Sequence, residues 1–144
     1  MRKHRIVRHI CLLMTLTALV GTAPALAASL PQTAENSIQY IGTISTQAGL
    51  YFGNGTAGCQ SSMVLVNGYD ANLTMFLQQK TSSGQWRMIN AWRASGSGIT
   101  GVSCSGSQAN LTAGASYRVY CSAYVYRNGV YVEHITWYSA EQTY

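Results

Sequence analysis

The chain has 144 residues, of which nine are Lys or Arg and four are Asp or Glu, so its formal net charge is +5. A chain of this length forms one domain with a modest core. Most of the charge excess comes from Arg2, Lys3, Arg5 and Arg8, and the rest of the chain has no cluster of basic residues that could bind DNA or RNA.

The N-terminal segment has the pattern of a cleavable secretory signal peptide. Its basic residues precede an uncharged, mostly apolar run from Ile10 to Gly21, and Ala25-Leu26-Ala27 has the small-residue spacing of a cleavage site. The apolar run is too short to cross about 30 Å of hydrocarbon, so we expect no membrane span. We predict residues 1–27 as the signal, residues 28–37 as a polar lead-in, residues 38–144 as the folded domain, and a secreted, extracellular product.

Beyond residue 38 the sequence alternates apolar and polar residues between closely spaced turn residues, which is typical of an all-β domain. Seven strands are predicted, as expected of an antiparallel β-sandwich of fibronectin type III or immunoglobulin-like shape. The predicted strands are Ile38–Gln47, Ala57–Val66, Ala71–Lys80, Gln85–Arg93, Ile99–Ala109, Ala115–Val125 and Val130–Tyr138. The segment Gly49–Gly58 is predicted to be a loop.

The strongest turn signal is Asn128-Gly129, because both residues tolerate the positive φ angles of a type I′ hairpin turn. A two-residue hairpin fixes the register of its strands. One face would pair Tyr126 with Tyr131, Tyr124 with Glu133, Ser122 with Ile135 and Tyr120 with Trp137. The other face would pair Val125 with Val132, Ala123 with His134, Cys121 with Thr136 and Val119 with Tyr138. A second hairpin is predicted to turn through Thr81–Gly84.

The segment from Leu111 to Val119 indicates which of these faces is buried. It is typical of a corner in which a tyrosine hydroxyl, here that of Tyr117, bonds back to the upstream backbone of a sandwich. If Tyr117 is that corner residue, alternation places Val119, Cys121, Ala123 and Val125 inside and turns the neighbouring tyrosines outward.

Three runs carry a resemblance to a known family: Asp70–Gln79, then Gly84-Gln85-Trp86 with Trp92 six residues later, then Ala113–Val119. Together they resemble a family of small secreted bacterial β-sandwich proteins of unknown function. The resemblance covers about Ile41 to Tyr138 and implies a fold and a compartment. It implies no active site.

Cleavage of the signal would remove Cys11 and leave Cys59, Cys104 and Cys121. Export favours one disulfide and leaves one thiol over. We expect Cys59–Cys104, because the second and fifth predicted strands should be neighbours, with Cys59–Cys121 as the alternative. No closely spaced cysteine pair is present, so neither a structural zinc site nor another metal site is expected.

The motifs that could carry catalysis or cofactor binding are weak. The run Gly96–Gly101 matches G-x-G-x-x-G, but no helix that could receive a phosphate is predicted after it, so we interpret it as a turn and expect no cofactor. His134 is predicted to be a core residue beside Ala123. The acidic residues are scattered, and no pair of carboxylates suggests a glycosidase.

The most distinctive predicted surface is the outer face of the second sheet. Aromatic rings bury a large area at low entropic cost, which suits a sugar, a peptide or another protein. Cross-strand pairing that merely stabilises the sheet is the alternative explanation. The predicted ligand-binding residues are Tyr120, Tyr124, Tyr126, Tyr131, Trp137 and Arg118, accompanied by Ile135 and Glu133 and extended by Phe76, Gln78, Arg87 and Ile89.

Three functions follow as hypotheses. The first is a non-enzymatic module that binds cell-envelope polysaccharide or an extracellular protein, or a second copy of itself, through this face. The second is a secreted inhibitor or antagonistic factor that acts through a loop such as Gly49–Gly58. The third is a hydrolase, which the small number of titratable residues disfavours.

Overall fold

The computed structural model describes residues 40–144, so the predicted signal peptide and lead-in lie outside the described residues. The described part contains eight strands and one short 3-10 helix, Gly98–Thr100. Within it, no helix is long and apolar enough to cross a membrane. The strands are β1 Thr43–Gly53, β2 Thr56–Leu65, β3 Tyr69–Lys80, β4 Trp86–Ser97, β5 Val102–Gln108, β6 Ser116–Arg127, β7 Val130–Tyr138 and β8 Gln142–Thr143.

The strands form two antiparallel sheets, as expected of a β-sandwich. One sheet has the order β1-β2-β5, and the other has the order β4-β3-β6-β7 with β8 paired to the beginning of β6. Side chains from both sheets share one hydrophobic core. The all-β prediction is confirmed, but the strand count differs, because the short β8 brings the total to eight.

The predicted loop Gly49–Gly58 is wrong, because this segment is a tight β-hairpin. β1 continues to Gly53, which pairs with Thr56 at the start of β2. Asn54 and Gly55 form the two-residue turn with φ angles of 49° and 75°, which suits a type I′ connection. The segment on which the inhibitor hypothesis relied is therefore a β-hairpin with a two-residue turn.

The tyrosine corner is present. The Tyr117 hydroxyl accepts a hydrogen bond of 2.8 Å from the backbone N–H of Thr112, and the ring is buried in the core at the beginning of β6. The predicted parity of β6 is confirmed, since Val119, Cys121, Ala123 and Val125 are all buried.

Replacing Tyr117 by Phe should lower the free energy of unfolding by about 1–2 kcal/mol, because the Thr112 N–H loses its acceptor while the ring still packs. Urea unfolding measures the change. The control is Tyr124→Phe, which removes a hydroxyl from a half-exposed ring on the outer face and should cost about 0.5 kcal/mol or less. Equal losses in the two variants would contradict the structural role of the Tyr117 hydroxyl.

The β6–β7 hairpin has the predicted turn but a different register. Asn128 and Gly129 have φ angles of 51° and 77°, and Tyr126 faces Tyr131 as predicted. A β-bulge follows, because Val125 pairs with Glu133 and leaves Val132 without a partner. From there to its end, β7 is shifted by one residue, which exchanges its two faces.

The bulge corrects three predictions on β7. Ile135 and Trp137 point into the core, with 1% and 9% of their surfaces exposed, whereas His134 is exposed on the outer face. The physical reason is burial, since the shifted register places a large aromatic and a large aliphatic side chain between the sheets. The indole Nε1 of Trp137 also donates a 3.0 Å hydrogen bond to the carbonyl of Gln47 in the opposite sheet.

The β3–β4 hairpin turns through Thr81–Gly84 as predicted, with hydrogen bonds between Thr81 and both Gly84 and Gln85. A bulge at Ile89 shifts the register of β4 as well, because Gln78 pairs with Met88 and Leu77 with Asn90. The predicted extension of the outer face through Arg87 and Ile89 is therefore wrong, and Met88, Ala91 and Arg93 occupy it instead.

The run Gly96–Gly101 connects β4 of one sheet to β5 of the other. It contains the end of β4 and the 3-10 helix, and β5 begins at the next residue, so no α-helix follows the glycines. Gly101 has a φ of 67°, and a Cβ at this position would overlap the carbonyl of Met63. The glycines allow the chain to cross tightly from one sheet to the other, which agrees with the prediction that this run is a turn.

Candidate functional site

The candidate site is the outer face of the larger sheet, which we call the aromatic face. It consists of the residues on β4, β3, β6 and β7 that point away from the core. The structure confirms the outward direction of Tyr120, Tyr124, Tyr126 and Tyr131, and adds His134 and Tyr138 to them. The aromatic side chains form two groups separated by small polar residues.

The first group is a row of stacked rings that crosses three strands. Tyr120 stacks between Phe76 and Tyr138, with ring centroids 5.6 and 5.0 Å apart. The guanidinium of Arg118 lies 4.3 Å from the Tyr138 ring centre and 4.2 Å from that of Trp86. Because the neighbouring groups cover the faces of the Tyr120 ring, it offers mainly its edge and hydroxyl to solvent.

Arg118 is held in place by a second contact. Its Nε donates a 2.8 Å hydrogen bond to Oε1 of Gln78, the opposite residue on β3, and Gln78 is itself buried. The guanidinium is thereby fixed between two aromatic rings, an arrangement in which cation–π attraction adds about 0.5–2 kcal/mol. The predicted binding residue Arg118 is on the aromatic face, but it is already engaged by its own sheet.

The second group lies at the turn end of β6 and β7. Tyr124 stacks on the His134 imidazole with centroids 4.4 Å apart. Tyr131 is tilted against Tyr124 at 6.4 Å and meets Tyr126 edge to face at 6.2 Å. The exposed fractions of Tyr131, Tyr138 and Tyr124 are 56%, 48% and 46%, so their hydroxyl ends can reach a partner.

A lane of small polar residues separates the two groups. Thr74, Ser122 and Thr136 are opposite one another on β3, β6 and β7, and Arg93 of β4 continues the row. Ser122 Oγ and His134 Nε2 are 2.8 Å apart. A catalytic serine–histidine pair needs a third group to orient the imidazole, and the residues from 40 onward include no carboxylate hydrogen-bonded to His134.

Three predicted β7 members of the face are elsewhere. Ile135 and Trp137 are part of the core, as described above. Glu133 turns toward the smaller sheet, where its carboxylate accepts bonds of 2.9 Å from the backbone N–H groups of Ile41 and Gly42 and contacts the Thr43 hydroxyl at 3.3 Å. It therefore satisfies otherwise unpaired donors before β1 and joins the edges of the two sheets.

One ion pair borders the aromatic face. Lys80 Nζ lies 3.0 Å from a carboxylate oxygen of Glu141, and its ammonium also lies 5.4 Å from the Trp86 ring centre. Hydrogen bonds from Lys80 and Ser116 lower the pKa of Glu141. Both partners are exposed, so the pair contributes little to stability.

The three cysteines of the described residues are buried free thiols, so the predicted Cys59–Cys104 disulfide is absent from the structure. The prediction that β2 and β5 are neighbours is confirmed, but Cys59 is opposite Gly106 and Cys104 is opposite Ser61. The two thiols are thus diagonal rather than directly paired, a longer separation across the strands. Cys121 instead donates to Ser61 Oγ at 3.1 Å.

Burial raises the pKa of all three thiols, to about 11 for Cys59 and about 12 for Cys121. A thiol in such surroundings stays protonated at neutral pH and is a poor nucleophile. In residues 40–144, no three His, Cys, Asp or Glu side chains are grouped closely enough to hold a metal ion.

The comparisons with known proteins add no family to this description. No protein-family model matches the chain, and neither a curated protein nor a solved structure is significantly similar to it. The inferences about function therefore rest on the residues themselves.

Proposed function

We propose that this chain is an exported, non-enzymatic binding module that engages an extracellular protein through the aromatic face. The observation that carries the proposal is the half-exposed set Tyr124, Tyr131 and Tyr138 on adjacent strands. Tyrosine is enriched in protein interfaces because it contributes a large contact area and a hydroxyl while having few rotatable bonds. Export itself rests on the signal peptide pattern in residues 1–27.

A protein partner suits this face better than the envelope polysaccharide that the sequence also suggested. Sugar rings stack on open aromatic faces, but the faces of the Tyr120 ring are covered by Phe76 and Tyr138, and one face of Tyr124 is covered by His134. Around these covered rings the aromatic face exposes ring edges and hydroxyl groups, beside the exposed side chains of Arg93 and Met88. Polar groups around partly buried rings are typical of a protein interface.

We further propose a fibronectin type III-like class for the sandwich, and membership of the family of small secreted bacterial β-sandwich proteins that the sequence resembles. The arrangement of seven main strands in two antiparallel sheets supports the class, and so does the Tyr117 corner. Folds of this kind carry many unrelated functions, so the binding proposal depends on the face and not on the class.

The test is site-specific photo-crosslinking in the culture supernatant and envelope fraction of the producing cells. A benzophenone side chain replaces Tyr131 or Tyr138 on the aromatic face, or Ser105 on the other sheet as the control. We expect one protein to be captured from both aromatic positions and not from position 105. Capture of no protein, or of the same proteins from all three positions, would contradict the proposal.

The captured protein is then purified, and its affinity is measured for the wild type and for the double variant Tyr124→Ser, Tyr131→Ser. Two interface tyrosines at about 1–2 kcal/mol each correspond to a loss of roughly 30- to 1,000-fold. Tyr51→Ser, a change on the opposite sheet, should leave the affinity unchanged. If the double variant keeps both the wild-type melting temperature and the wild-type dissociation constant, the proposal is contradicted.

A further inference from the structure

The smaller sheet has an unusual composition. Its strands β1, β2 and β5 contain no Asp, Glu, Lys, Arg or His. Charged residues make up about a quarter of an ordinary domain, and in the rest of the described chain they are carried by the larger sheet and its connections. The uncharged region is therefore one continuous surface.

Strand pairing defines the residues on the outer side of this sheet, which we call the neutral face. They are mainly serine, glutamine and glycine, with one aromatic side chain. The members are Ser45, Gln47, Gly49 and Tyr51 of β1, Gly58, Gln60, Ser62 and Val64 of β2, and Ser103, Ser105 and Ser107 of β5. Because most of these residues are serine or glycine, the neutral face is shallow and rich in hydroxyl groups.

The Tyr51 ring lies flat on the neutral face, whereas tyrosines of the aromatic face stack against neighbouring rings. A Cβ added to its cross-strand partner Gly58 would overlap the Tyr51 ring, so the ring rests on the backbone there. Gly58 points outward and is nevertheless buried, whereas Tyr51 is 59% exposed. The side of the ring away from Gly58 is thus exposed to solvent, and no other aromatic ring of residues 40–144 stacks on it.

Polar groups that can form hydrogen bonds surround this ring. The side chain of Gln60 leans over Gly49, where a Cβ would lie 3.0 Å from its Cγ and Nε2. A shallow cavity of about 250 Å³ lies between Tyr51 and Gln60 on one side and Ser139, Ala140 and Gln142 on the other. Gln142 donates a 2.7 Å bond to the carbonyl of Leu50 and so fixes the far wall. The residues that line this cavity are all uncharged.

We propose that the neutral face binds an uncharged polysaccharide, with Tyr51 stacked against a sugar ring and Gln60 and the serines bonded to sugar hydroxyls. A charged polymer would lose solvation without gaining a counter-charge, which is costly. An apolar partner would leave the hydroxyl and amide groups unpaired. A neutral sugar avoids both costs, because it has hydroxyl groups at its rim and an apolar ring face that matches an aromatic ring.

A second copy of the chain fits the neutral face less well. Stable homodimer interfaces bury more apolar area than other surfaces, with aromatic or aliphatic side chains at the centre. By strand pairing the neutral face contains two large apolar side chains, Tyr51 and the half-buried Val64, and the β1 bulge adds one exposed aliphatic residue, Ile44. The proposal also does not depend on the aromatic face, since the two surfaces are on opposite sheets.

The experiment is affinity electrophoresis in gels containing hydroxyethylcellulose, neutral xylan, mannan or starch, together with pull-down on insoluble cellulose and chitin. We expect retardation or binding by at least one neutral polymer, unaffected by salt. Carboxymethylcellulose, which has the backbone of hydroxyethylcellulose but carries charge, should bind more weakly. Failure of every neutral polymer, or stronger binding to the charged one, would overturn the proposal.

Two variants test the residues. Tyr51→Ala should weaken binding at least tenfold, and Ser105→Glu should do the same by adding a charge to the neutral face while leaving the ring in place. The matched control is Tyr131→Ala, because Tyr131 has a similar exposed fraction, 56%, but is on the aromatic face. Binding that survives both changes on the neutral face, or that Tyr131→Ala abolishes, would contradict the assignment. Since Tyr131→Ala tests the other surface, the two proposals can fail separately.

Discussion

Replacing Trp137 by Ala should destabilise the domain by about 3–5 kcal/mol, the range for removing a large aromatic side chain from a core. The indole is 9% exposed and its Nε1 bonds to the Gln47 carbonyl of the other sheet, so the change creates a cavity and removes a contact between sheets. Because native domains are stable by only about 5–15 kcal/mol, we expect much of the total stability to be lost.

Urea denaturation followed by tryptophan fluorescence measures this loss, with circular dichroism as a second probe because the variant lacks one fluorophore. Tyr138→Ala is the control, since Tyr138 is the next residue on β7 but is half exposed on the aromatic face. It should cost about 1 kcal/mol. If β7 had no bulge, Tyr138 would be in the core and Trp137 on the surface, and Tyr138→Ala would be the more destabilising change. A larger loss of stability in Tyr138→Ala would therefore contradict the bulge.

The comparison between Trp137 and Tyr117 shows which part of a hairpin its sequence determines. The inward orientation of Tyr117 follows from local chemistry. A corner hydroxyl that bonds to the nearby backbone, together with strict alternation along β6, allows only one assignment of the buried face, and the structure confirms it. The Asn128-Gly129 turn is equally local. The bulge at Val132 depends instead on contacts with the opposite sheet and the segment before it. The shifted register lets Trp137 donate to the Gln47 carbonyl and lets the Glu133 carboxylate accept from the Gly42 N–H.

A signal for the bulge is nevertheless present in β7. In a regular strand, alternation would place Val130 and Val132 on one face and Ile135 and Trp137 on the other, so the apolar side chains would not share a face. A change of phase within one strand indicates an extra residue between the two parts. Applying a single register to the whole strand placed His134 in the core and Trp137 on the surface, and both placements are wrong.

The neutral face was missed for a related reason. Asn54 lies between Gly53 and Gly55, which favours a loop. Asn54-Gly55 is nevertheless the same dipeptide as the Asn128-Gly129 turn and makes the same two-residue connection. Recognising it would have extended β1 to Gly53 and placed Tyr51 across from Gly58. The absence of charge from β1, β2 and β5 was visible in the sequence, but it has meaning only when these strands are known to share one sheet.

Raising the pH above 9 should destabilise the reduced protein strongly, through its buried thiols. In the folded state the pKa is about 11 for Cys59 and about 12 for Cys121, against an ordinary value of 9.0. Between pH 9 and pH 11, unfolded chains release thiol protons that folded chains keep, so the free energy of unfolding falls as the pH rises. Below about pH 8 these two thiols are protonated in both states and contribute no pH dependence.

The slope for each thiol approaches about 1.4 kcal/mol per pH unit once the unfolded thiol is ionised, so stability falls on the order of 3 kcal/mol from pH 9 to pH 10.5. Urea unfolding across this range, in a phosphine reductant, measures it. The variant Cys59→Ala, Cys121→Ala keeps every other titrating group and is less stable at pH 8 because of its cavities, but it should show a much shallower decline. Equal slopes in the two proteins would mean that neither thiol is held protonated by burial. The packing of β2 against β6, where Cys121 meets Ser61, would then be wrong.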